Sequence, residues 1–243
     1  MKVIKVDDYQ ALSLTGAKLI LNQIKENENC ILGLATGSTP VGIYRTLVEQ
    51  YEAQEISFSN VTSFNLDEYI GLDINQTQSY ASFMHEHLFK HIDIAHDAVH
   101  IPSGKAENME EECRRYEEAI KAAGGIDIQI LGIGRNGHIG FNEPNIQFAS
   151  MTHIVNLDEK TIADNARFFE KPEDVPRTAI SMGIKTIMSA KKIVLLASGK
   201  EKAQALYGMI HGKITPELPA SVLQLHNDVT IVCDRDAAIL LGD

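Results

Sequence analysis

Two short stretches constrain this chain most: Cys-Ile-Leu-Gly-Leu-Ala at 30–35 and Lys-Ile-Val-Leu-Leu-Ala at 192–197. Runs this short and this continuously apolar read as strands buried on both faces. A parallel sheet clad by helices provides that environment. Further strands are expected at 3–6, 61–65, 98–102, 126–131, 152–157 and 229–234, and at 178–183, which runs into a short helix. Between strands, apolar residues recur at helical spacing. Leu12, Leu19, Ile20 and Ile24 follow an N-cap at Asp7 or Asp8, and Phe83, Met84 and Leu88 follow Ser79. Tyr44, Leu47, Val48 and Tyr51 form another stripe; Met109, Cys113, Tyr116 and Ile120 form one that Gly124-Gly125 stops. Ala203, Leu206 and Ile210 form the last. Strand and helix alternate without repeat or low-complexity linker. The expected fold is α/β: one doubly wound, Rossmann-like three-layer domain over 1–243 with a mainly parallel sheet. Periodicity fades across 145–176, which ends in a proline-bracketed polar piece and is expected to act as a lid.

Open α/β sheets bind ligands beyond the carboxyl ends of their strands, so the loops there carry the candidates. The most crowded is Gly132-Ile-Gly-Arg-Asn-Gly-His-Ile-Gly-Phe-Asn-Glu-Pro144. Its glycines at 132, 134, 137 and 140 permit positive φ and close backbone approach. His138 is an acid/base group and Glu143 a partner to orient it. A glycine-rich turn holding one satisfied surface histidine is the plainer reading, but a turn alone does not need this mixture of residues. In Thr36-Gly-Ser-Thr-Pro40, Thr39 is expected to cap a helix whose first residue is Pro40. The N–H groups of Gly37, Ser38 and Thr39, with two hydroxyls, then form a phosphate cradle or an ordinary capped turn. The Gly-Lys-Ser/Thr end of a Walker loop is missing. Asp67 and Glu68, after the strand at 61–65, are candidates for a catalytic base or an acid pair at a helix start. Lys200 and Lys202 open a helix against its dipole, which a bound anion would offset; two solvated lysines also account for them. His87 and His91 lack a third ligand nearby, so no metal site is expected.

A net charge of −11 argues against a nucleic-acid partner yet leaves a small anionic ligand open. Three distant cysteines, Cys30, Cys113 and Cys233, suit reduced thiols. No signal-type segment opens the chain and no apolar run has membrane-spanning length, so a cytoplasmic protein without a membrane partner is expected.

Four motifs in one order, Leu34-Ala-Thr-Gly-Ser-Thr-Pro40, Phe64-Asn-Leu-Asp-Glu-Tyr69, residues 132–144 and Asn165-Ala-Arg-Phe-Phe169, resemble the glucosamine-6-phosphate deaminase family over essentially the whole chain. The resemblance implies conversion of glucosamine 6-phosphate and water to fructose 6-phosphate and ammonia, without a cofactor. His138, supported by Glu143, would open the pyranose ring. Asp67 would carry the C2 proton to C1. Gly37, Ser38, Thr39, Arg167 and Lys202 would bind the phosphate. Asn136 stands where several members carry Asp; it is expected to accept from the imidazole without supplying charge. His153 and Val155 stand where members activated by N-acetylglucosamine 6-phosphate carry Arg and Lys, and the chain stops at Asp243. Weak or absent activation, and a monomer or small homo-oligomer, are therefore expected. The alternatives are a 6-phosphogluconolactonase-like hydrolase, which would not need Asp67 at C2, and a non-catalytic sugar-phosphate sensor, disfavoured by the lack of a basic patch or helix-turn-helix.

Overall fold

The computed structural model describes residues 1–242. The chain opens with β1 (Lys2–Val6), α1 (Tyr9–Glu26), β2 (Ile31–Leu34), α2 (Val41–Glu52), β3 (Thr62–Asn65) and β4 (Asp67–Tyr69). It continues through α3 (Tyr80–His87), β5 (Val99–His100), α4 (Met109–Ala123), β6 (Ile128–Gly132), β7 (His153–Asn156) and α5 (Glu159–Asn165). β8 (Thr178–Ser181), α6 (Ile184–Met188), β9 (Lys192–Ala197), α7 (Ala203–His211) and β10 (Val229–Asp234) complete it. No described helix is long and apolar enough to cross a membrane.

Seven strands lie in the order β1-β10-β9-β6-β2-β3-β5, and every pairing among them is parallel. Every residue of β2 is buried, as its unbroken apolar run requires, and helices cover both faces. The core runs from Leu12 and Ile20 on α1 through Leu32 and Leu34 to Leu206 and Met209 on α7. Asp8, not Asp7, caps α1 by accepting the Ala11 N–H at 2.8 Å, and Gly124 ends α4 at φ 100°.

Two expectations are corrected. Thr39 does not cap α2. Pro40 holds the N-cap position at φ −79°, ψ −8°, and its carbonyl accepts the Tyr44 N–H at 3.0 Å. Proline fixes that turn through its ring, so the Thr39 hydroxyl is not spent on the helix. Nor does Asp67 sit on a loop. It opens β4, part of a second, antiparallel sheet ordered β4-β8-β7, where Asp67 is in register with Ser181. Hydrophobic pattern shows that a strand exists, not which strand it pairs with, and a three-residue strand shows no period at all. Tyr69, Phe141, Leu157, Ile162, Val175 and Ala179 form a separate small core at this sheet.

From β2 the chain builds outward to β3 and β5, then crosses back to place β6 on the other side of β2. The loops leaving β2 and β6 therefore diverge, which opens a crevice at their carboxyl ends.

Candidate active site

That crevice is a cavity of about 760 Å³, within the range of a small-molecule site. Gly37, Ser38 and Thr39 reach it from the end of β2, and His138 from the end of β6. Asp67 on β4, Arg167 beyond α5 and Lys202 before α7 also line it. Glu143 approaches the His138 ring, and Asn136 is bonded to Glu143 and to the His138 backbone.

Glu143 Oε2 lies 3.3 Å from His138 Nδ1. Burial pushes the Glu143 carboxyl up, but His138, Thr161 and Asn136 hold it below the usual range, so it is ionised at neutral pH. Asn136 does not accept from the imidazole. Its Nδ2 donates to Glu143 Oε2 at 2.8 Å, and its Oδ1 accepts the His138 backbone N–H at 3.2 Å. Two residues ahead of His138, an asparagine side chain is claimed by the local backbone before it can reach the ring. A Cβ on Gly134 would fall 2.4 Å from the His138 ring, so glycine there is what lets the imidazole lie against its own loop.

Asp67 is only 6% exposed. Burial, and then the charge of Glu68, push its carboxyl up to about 8. Glu68 has a different task. Its carboxylate accepts the N–H groups of Tyr69 (2.8 Å), Tyr80 (2.9 Å) and Ala81 (2.9 Å), tying β4 to the start of α3. The acid pair thus splits: Glu68 serves a helix N-terminus, and Asp67 faces the cavity. Ser181, the register partner of Asp67, accepts the Phe141 N–H on its Oγ at 3.0 Å. Asn142 Nδ2 donates to the Ile139 and Met182 carbonyls at 2.9 and 2.8 Å. β8 therefore fixes where Asp67 stands relative to the His138 loop.

At the other end, Arg167 Nη2 donates to Ser38 Oγ at 3.3 Å. Burial lowers the Lys202 pKa; Arg135 and Arg167 lower it further, against Glu201 and Asp164. An anion among these three cations would relieve that strain on the ammonium. Lys200 instead points to Asp236, 3.9 Å away, as the solvated-lysine reading has it. His87 lines the cavity wall, whereas the His91 ring meets the Glu86 carbonyl. Among the described residues no cluster of His, Cys, Asp and Glu is placed to hold a metal ion.

A family model described as glucosamine-6-phosphate isomerases/6-phosphogluconolactonase matches residues 7–232. The chain belongs to this family. Glucosamine-6-phosphate deaminase of Thermoanaerobacter sp. (strain X514) is 58% identical over 243 residues, covering 100% of this chain and 96% of that protein. The enzyme of the same name from Clostridium novyi (strain NT) is 55% identical over 238 residues, covering 98% and 99%. A solved structure of a monomeric glucosamine-6-phosphate deaminase superposes with a TM-score of 0.97 at 48% identity, over 99% of this chain and 100% of that one. 6-Phosphogluconolactonase from Trypanosoma cruzi gives 0.79 at 24% identity, over 100% and 97%, and shares the fold.

In this family member several residues at the site escape a reading of the sequence. Tyr9 donates to the Ser38 carbonyl at 3.1 Å and accepts the Gly42 N–H at 2.9 Å, propping the cradle. Nothing local marks it, because its partners lie far along the chain. Arg135, paired with Asp164 at 3.4 Å, lay inside the most crowded motif, and its charge was the available signal. Ser181 and Thr161 acquire meaning only once β8 and α5 dock.

Proposed function

We propose that this family member converts glucosamine 6-phosphate and water to fructose 6-phosphate and ammonia. The observation that carries the reading is that Asp67 and His138 line one cavity with the Gly37–Thr39 turn, Arg167 and Lys202. The phosphate takes N–H groups from Gly37, Ser38 and Thr39, forked donors from Arg167 and a point charge from Lys202. The sugar then lies toward His138 and Asp67. His138 moves the proton between the anomeric hydroxyl and the ring oxygen, and the ionised Glu143 supports the imidazolium that forms. Asp67 removes the C2 proton and returns it to C1 through an enolamine; water adds at C2 and ammonia leaves. With its pKa at about 8, Asp67 is mostly protonated in the empty site at neutral pH. The substrate's C2 ammonium supplies the opposite charge that favours the carboxylate. Each step is a proton transfer or an addition or loss of a small molecule, so the reading calls for no cofactor.

The reading takes the chain as one domain in which residues 145–176, bearing Thr161 and Arg167, form the lid. It also takes the protein as a monomer or small homo-oligomer with weak or absent activation by N-acetylglucosamine 6-phosphate. In support, the cavity of about 390 Å³ beside His153 and Val155 is lined by Glu143 and Asp158 and by no lysine or arginine. Three buried free thiols suit a reducing cytoplasm.

Ammonia release from glucosamine 6-phosphate, with solvent deuterium appearing at C1 of the product, tests the reaction. No ammonia, together with hydrolysis of 6-phosphogluconolactone, would favour the lactonase instead.

A further inference from the structure

We propose that Thr161 is a positioning residue: its hydroxyl, carried on α5, completes the acceptor set around His138 Nδ1 and fixes the tautomer that presents Nε2 to the sugar. The proposal rests on the deaminase reading for what Nε2 does, not for how the ring is held. Thr161 is 4% exposed, and its Oγ1 lies 3.4 Å from His138 Nδ1. Glu143 Oε2 approaches the same nitrogen at 3.3 Å. Both contacts are long and neither alone is a strong bond, but a single Nδ1–H can be shared between the two oxygens. The hydroxyl has a single proton, and the ionised Glu143 carboxylate, which the Thr161 hydroxyl helps to hold below the usual range, is a better acceptor for it than the ring nitrogen. The Thr161 oxygen then offers its lone pair to Nδ1–H. A deprotonated Nδ1 would instead face the Glu143 lone pairs with its own.

Thr161 does not belong to the His138 loop. One turn further along α5, Asp164 pairs with Arg135, and Asn165 Nδ2 donates to the Tyr69 hydroxyl at 2.8 Å. Just beyond α5, Arg167 reaches Ser38. One short segment thus touches the acid/base group with its threonine and the phosphate end with its arginine. Seating the segment on the phosphate and orienting His138 become a single event.

Thr161→Val keeps the shape and removes the hydroxyl, while Thr161→Ser keeps the hydroxyl; Thr161→Ala replaces the valine variant should that not fold. The expected result for Thr161→Val is a loss of about tenfold or more in kcat, with KM for glucosamine 6-phosphate within about threefold, and recovery of most of the kcat in Thr161→Ser. The ¹⁵N shifts of the His138 ring in substrate-free protein should report a single Nδ1–H tautomer in wild type and Thr161→Ser, and a mixture in Thr161→Val. A single tautomer and near-wild-type kcat in Thr161→Val would overturn the proposal, as would a Thr161→Ser variant as impaired as Thr161→Val. Wild-type protein that releases no ammonia would refute the deaminase reading instead, and the ring shifts would still decide the role of Thr161.

Discussion

The seven-stranded sheet and the three-stranded sheet hold the two ends of the site by different means. The cradle at Gly37–Thr39 springs from β2, a strand buried throughout and flanked by a continuous apolar core. Asp67 stands on a three-residue strand with a far smaller core, and polar staples do much of the holding: Glu68 to α3, Ser181 to Phe141, Asn142 to Met182. Losing one side chain from spread-out burial costs stability, but neighbours close part of the gap and the loops keep their places. A buried hydrogen bond is lost whole, and leaves its partner unpaired. Single changes in the small sheet should therefore misplace chemistry before they unfold the protein, and changes in the large core should do the reverse.

The largest expected effect tests the chemical end itself. Asp67→Asn should cost about 10²–10⁴ in kcat, the worth of a positioned base. It should also stabilise the fold in a pH-dependent way. The buried carboxyl titrates at about 8, so ionising it opposes folding. That penalty is absent below about pH 4 and grows as pH rises through the window up to about 8. Melting curves of the two proteins should coincide near the acid end and separate toward pH 8, with Asp67→Asn the more stable. For the same reason kcat/KM of wild type should climb with pH and level off near 8. A rise already complete near pH 5 would show that Asp67 is not the titrating base.

Leu47→Ala and Ser181→Ala set the two regions against each other. Leu47 is fully buried in the large core; its loss should cost about 2–5 kcal/mol in denaturant unfolding and leave kcat within about threefold. Ser181→Ala strands the Phe141 N–H and should cost only about 1–3 kcal/mol, yet lower kcat about tenfold. The opposite pattern would break the contrast. At the phosphate end, Arg167→Ala should raise KM about tenfold with little change in kcat, since its interaction is made equally in substrate and transition state. Unchanged saturation would remove Arg167 from the site. The smallest effect is expected of Asn136→Asp, with activity within about an order of magnitude of wild type. A carboxylate there keeps the bond from the His138 N–H but loses the donor to Glu143, so complete loss of activity would show that the Asn136–Glu143 bond matters more than supposed.

The order of amino acids alone was enough to place the strands of the parallel sheet, the helices between them, an aspartate cap at the start of α1 and the Gly124 stop of α4, and to name nine candidate residues, of which seven line one cavity. The elements and caps rest on apolar periodicity and turn chemistry, and Gly37–Thr39, His138 and Lys202 on the rule that loops after parallel strands share one edge, whereas Asp67 and Arg167 reach the cavity from β4 and from beyond α5. The three-dimensional structure alone assigned β4, β7 and β8 to a second sheet, turned Asn136 from the imidazole to Glu143, and brought Tyr9, Thr161 and Ser181 to the site. Asn136 is turned by its own loop, seven residues from Glu143 and two from His138, while the other outcomes depend on which surfaces meet across long separations in the chain. Strand pairing and side-chain hydrogen bonds of that kind leave no periodic trace in the residues that make them.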